Sequence, residues 1–76
     1  MNNIASIDFT VNAVKNCLKK GLLNAGVINL NDHIAAYSEG IRMLVDDAME
    51  GNTLTKTDAI KLADKLASKI LTNQGF

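Results

Sequence analysis

The sequence has no tryptophan and no proline, and only one cysteine, one histidine, one tyrosine and two phenylalanines in 76 residues. A single cysteine excludes an internal disulfide, and one cysteine with one histidine falls short of the four ligands of a structural zinc site. An unpaired thiol suits a reducing compartment, so the cytoplasm is the expected location. The scarcity of aromatics matters for stability. Much of the aliphatic content is alanine, which buries little area, and a chain this short buries a small share of its surface. Association is the common remedy when disulfides and metals are absent, which predicts a homodimer.

Net charge is also missing. Eight basic residues balance eight acidic ones, whereas a protein that neutralises a phosphate backbone usually carries a basic excess. Nucleic acid is therefore an unfavoured partner. No apolar run reaches the roughly 20 residues that a membrane-spanning helix needs. The stretch Met1-Asn2-Asn3-Ile4-Ala5-Ser6 has no basic region and does not read as a signal peptide. There is no internal repeat, and no proline punctuates the chain.

What is present is helical periodicity. From Asn31 to Gly51, apolar residues fall at Ile34, Tyr37, Ile41, Leu44, Val45 and Ala48, the three-and-four spacing of one helix face. A narrower strip, Ala36, Gly40 and Met43, lies beside it, and Glu39, Arg42, Asp46 and Glu50 occupy the far side. Two faces to bury make this the element around which the fold is expected to be organised. It starts at Asn29 or at Asn31, with Asn31 a suitable N-cap and Asp32 at the positive pole, and it stops at Gly51.

Before it, Ile4, Ile7, Val11, Val14 and Leu18 alternate steps of three and four, a packing seam on a helix capped by Ser6 and charged by Asp8 in its first turn. Gly21 and Gly26 are the two available stops. Residues 27–30 are too apolar for a solvated loop and read as a lid over the core; a strand there has no partner strand in the chain. After the central helix, Thr55 and Asp58 are spaced as a capping box, with Leu54 and Ala59 as its hydrophobic staple. The last helix divides cleanly into an apolar half (Ala59, Ile60, Leu62, Ala63, Leu66, Ala67, Ile70, Leu71) and a polar half, so it is expected to touch more than one neighbour. Residues 73–76 read as a frayed tail that offers a C-cap.

The chemistry-bearing residues are few. Cys17 and His33 would have to meet to form a nucleophile pair, and nothing in their spacing brings them together; Cys17 reads as a small buried hydrophobe. Asp46, Asp47 and Glu50 put three carboxylates where the helix dipole favours cations, with Arg42 as the only local relief. No glycine-punctuated calcium loop accompanies them, so they form an acidic patch for a basic partner surface, since a locally unfavourable choice marks a functional site. Lys61, Lys65 and Lys69 form a stripe at i, i+4, i+8, interrupted by Asp58 and Asp64 and lacking arginine or aromatic residues for base contacts. Phe9 projects away from its helix seam as a candidate anchor. Gly40 costs its helix about 1 kcal/mol relative to alanine, which implies close approach of another backbone to the Ala36, Gly40, Met43 strip. A phosphopantetheine carrier is excluded, because Ser38 lies between Tyr37 and Glu39 inside a helix and the net charge is zero.

The sequence thus predicts one all-α domain, residues 1–76, with three main helices at about 6–24, 31–50 and 56–72, assembled as a homodimer. The expected function is a non-enzymatic protein-interaction module, such as an adaptor, regulator or inhibitor, with no cofactor, metal or membrane segment. Its interface residues are Ala36, Gly40, Met43, Asp46, Asp47, Glu50 and Phe9. The alternative is a small DNA-associated regulator that uses Lys61, Lys65 and Lys69.

Overall fold

The structure, a computed structural model, describes residues 3–76. In chain order it contains β1 (Ile4–Ala5), α1 (Ile7–Asn24), α2 (Leu30–Met49), β2 (Leu54–Thr55) and α3 (Lys56–Asn73). It is a small all-α bundle of three helices that pack against each other. Met1 and Asn2, the start of the stretch that does not read as a signal peptide, lie outside the described residues.

Local chemistry accounts for most of the element ends. The Ser6 hydroxyl accepts the Phe9 N–H at 3.1 Å and starts α1. The Thr55 hydroxyl accepts the Asp58 N–H at 3.2 Å and starts α3. At the far end of α1 the helix runs through Gly21 and stops at the second glycine. Gly26 has φ +84°, the Gly26 N–H donates to the Leu23 carbonyl and the Val27 N–H donates to the Leu22 carbonyl. This pair of bonds satisfies carbonyls that the helix end would leave open. The same arrangement closes α3, where the Phe76 N–H donates to the Leu71 carbonyl at 2.9 Å, so of the two readings of residues 73–76 the C-cap is the one that the structure takes.

Several expectations are corrected. Of the two starts that the sequence offers, α2 takes the first: Asn29 is its N-cap, without a side-chain cap bond, and Asn31, the residue better suited to capping, falls in the first turn. The buried stripe of α2 is Ile34, Ile41, Val45 and Met49; Met49 takes the place expected of Ala48, which is exposed. Residues 27–30 form no strand. Val27 and Leu30 pack on the core, while Ile28 is 96% exposed, so only part of this segment covers anything. The strand pairing instead joins segments near the start of the chain and the second turn, with Ile4 opposite Thr55 and Ala5 opposite Leu54, antiparallel. It brackets α1 and α2 and carries Ala5 into full burial.

The largest correction concerns the centre. α1, and not α2, is the element on which the other two pack, α3 most extensively and α2 next. Its buried stripe is Val11, Val14, Leu18 and Leu22, together with Thr10, whose hydroxyl donates to the Ser6 carbonyl at 3.0 Å. Leu22, which lies between the two candidate stops Gly21 and Gly26, is only 1% exposed. α3 brings Ala59, Ala63, Leu66 and Ala67, small residues that let it lie close to α1. At Gly21 the packing is tight: a Cβ placed there would run into Leu71 Cδ1. α2 and α3 pack less closely on each other than either does on α1, so the wide apolar half of α3 is turned mainly to α1 and a groove is left beside α2.

Candidate interaction surface

The outer side of α2 carries an exposed strip of small and apolar residues. Ala36 and Gly40 are exposed, and Met43 is 70% exposed. A Cβ placed on Gly40 would meet no atom within 4 Å. The close backbone approach inferred from this glycine therefore does not occur inside the chain. Tyr37, Ile41 and Leu44 turn partly inward from the same helix. Together with Ile70, Asn73 and Gln74 of the α3 end they line the groove between the two helices, with Ala36 and Gly40 on its wall. Leu44 also lines the adjoining hollow with Met43, Asp46 and Asp47. The two hollows thus form one run along α2, about 16 Å from Ala36 to Asp47 at 1.5 Å per residue.

One end of this run is acidic. Asp46, Asp47 and Glu50 are exposed, and Glu50 adopts the left-handed conformation at φ +52°, with its N–H donating to the Asp46 carbonyl at 2.9 Å. The relief expected from Arg42 is absent. Its guanidinium pairs instead with Asp8 of α1 at 2.6 Å, the sole salt bridge among the described residues. Among the described residues no cation pairs with the carboxylates at the negative end of the α2 dipole. The combination is unfavourable for the isolated helix, and a positive partner would relieve it.

Phe9 lies elsewhere. It is half-buried at the start of α1, and the Lys56 ammonium sits 5.6 Å from its ring centre, within cation–π reach. With Asn12, Ala13, Asn16, Cys17 and Ile60 it lines a second groove, between α1 and α3. Ile60, counted above among the buried residues of the last helix, is 53% exposed here. Cys17 is half-buried. Burial pushes its thiol above the ordinary value; Asp64 adds to the rise and Lys20 opposes it. These surroundings favour the thiol over the reactive thiolate.

Lys61, Lys65 and Lys69 are all exposed along α3, with Asp58 and Asp64 exposed on the same helix. His33 stands in the first turns of α2. Among the described residues no three His, Cys, Asp or Glu side chains converge as metal ligands, and no helix is long and apolar enough to cross a membrane. The structure therefore separates the residues singled out from the sequence. Ala36, Gly40, Met43, Asp46 and Asp47 share one surface with Glu50 at its end, whereas Phe9 belongs to a different groove. Ile60 and Ile70, which help to shape the two grooves, were invisible as surface residues because periodicity placed both in the buried half. No family model, curated protein or solved structure matches this chain.

Proposed function

We propose that this chain is a non-enzymatic protein-interaction module, an adaptor, regulator or inhibitor that works by presenting the outer side of α2 and the α2/α3 groove to another protein. The observation that carries this reading is Gly40. A glycine in the middle of a 20-residue helix costs about 1 kcal/mol, and nothing in the chain itself requires the missing side chain. Helix stability is sacrificed at a position that borders an apolar groove, as expected where another backbone docks.

Self-association belongs to the same reading. The small core leaves Phe9, Ala13, Cys17 and Ile60 along the α1/α3 groove, a surface of mixed charge with Lys56, Lys20 and Asp64 nearby. It offers a second copy apolar contacts without a field of one sign. The DNA-associated alternative rests on Lys61, Lys65 and Lys69, but Asp58 and Asp64 dilute that stripe, and α3 carries no arginine to read base edges.

The test is Gly40→Leu. The expected result is a protein with unchanged helical circular dichroism and an intact melting transition that no longer captures its partner. Light scattering on a sizing column, run over a range of concentrations, is expected to give a dimer for the parent chain and for Gly40→Leu alike, and a monomer for Ile60→Glu. If partner capture survives Gly40→Leu and is lost instead when Lys61, Lys65 and Lys69 become Glu, the α2 surface is not the working one.

A further inference from the structure

Charge is balanced over the whole chain but not over its helices. α1 carries Lys15, Lys19 and Lys20 against Asp8, and α3 carries Lys56, Lys61, Lys65 and Lys69 against Asp58 and Asp64, a net of +2 each. α2 carries Asp32, Glu39, Asp46 and Asp47 against Arg42, and with Glu50 at its C-cap its net is −4. Arg42 is already engaged with Asp8. The side chains that line the α2/α3 groove and its extension include two carboxylates and no basic group. The rest of the lining is apolar or amide-bearing: Tyr37, Ile41, Leu44 and Ile70 in the groove, Met43 in the extension, and Asn73 and Gln74 at the α3 end.

From this placement we infer that the α2/α3 groove receives a basic amphipathic helix of another protein, its apolar face on Tyr37, Gly40 and Leu44 and its lysines or arginines beside Asp46, Asp47 and Glu50. The inference rests on the interaction reading above and names the occupant. Two features select this chemistry. Exposed Met43 adapts to the shape of an apolar anchor, and the small wall of Ala36 and Gly40 lets a helix backbone come near. A run of about 16 Å takes about three turns of helix. A second copy fits poorly. Paired through α2 it would set net −4 against net −4, and like charges across an interface are repulsive. Presented through its lysine stripe it would bring Asp58 and Asp64, interspersed with Lys61, Lys65 and Lys69 on the exposed side of α3, against the carboxylates of the groove, with Ile60 as the one large exposed apolar side chain of that helix.

The experiment uses a synthetic peptide of leucine, alanine and lysine, about 18 residues long and patterned as an amphipathic helix, and a control in which every lysine is glutamate. Binding to the full chain is followed by fluorescence anisotropy and by amide chemical shifts. The expected result is binding of the basic peptide only, with shifts concentrated at Ala36, Tyr37, Gly40, Leu44 and Ile70. Affinity falls at least about tenfold in the Asp46→Lys, Asp47→Lys double variant and declines with added salt. These exposed lysines at a helix C-terminus are compatible with folding, since they suit the dipole.

Binding of the acidic peptide with equal affinity, or shifts confined to the Phe9 and Ile60 groove, would overturn the inference. So would a dimer of the free chain that Gly40→Leu dissociates, because the groove would then hold a second copy; the interaction surface itself would still stand. If the basic peptide fails to bind and Gly40→Leu also leaves partner capture intact, the inference and the reading beneath it both fail.

Discussion

Gly21 and Gly40 sit inside helices and mean opposite things. At Gly21 the missing Cβ leaves room for the end of the Leu71 side chain of α3. At Gly40 it is required by nothing in the chain. Gly40→Ala is therefore expected to raise stability by about 1 kcal/mol, the full difference in helix propensity. Gly21→Ala gains less, because Leu71 must rotate away, and Gly21→Val lowers stability. Thermal melts of the three variants check the ordering, and a Gly40→Ala chain no more stable than the parent would refute this account of Gly40. Both glycines are visible in the sequence as helix-interior or helix-stop residues, but their roles are not, since a clash is a property of the neighbour across the contact.

The helices begin where their side chains can hold a free N–H. Thr55 and Ser6 each do so, and Asn29 does not. Thr55→Ala is expected to cost about 1 kcal/mol, a fall in Tm of about 4–8 °C for a domain of this size. Asn29→Ala should leave Tm nearly unchanged. Equal losses in the two variants, measured by circular dichroism, would show that the Thr55 bond is not what starts α3. The caps of α1 and α3 were legible because capping is a contact over three residues of sequence. The α2 start stays open between Asn29 and Asn31 in the sequence because its cap makes no side-chain bond and so leaves no local signal beyond an asparagine. The Arg42 pairing was misassigned for a related reason. Helical spacing offered Asp46 one turn away, while the bundle offered Asp8 from α1.

Across the whole molecule the stability rests on one helix. α1 packs against both neighbours, and Leu18 is fully buried at its middle. A chain of 76 residues has about 4–11 kcal/mol to lose, and Leu18→Ala removes about 2–5 kcal/mol. The variant is expected to be partly or wholly unfolded at 37 °C, whereas Met43→Ala, on the exposed side of α2, should shift a denaturation midpoint little. A large loss at Met43 would place that side chain inside a contact that the single chain does not contain.

Composition, caps and the three-and-four spacing settle the number of helices, their ends to within a residue or two, and most of the residues they bury. Those are properties of a segment and its nearest neighbours along the chain. Packing decides the rest: α1 lies at the centre, Ile4–Ala5 pairs with Leu54–Thr55, and α2 and α3 part to leave a groove lined by Gly40 and Leu44. Amphipathicity states that a face must be covered and how wide it is. Which helix covers it depends on which surfaces fit at close range, and the small residues of α3 fit α1 more closely than they fit α2.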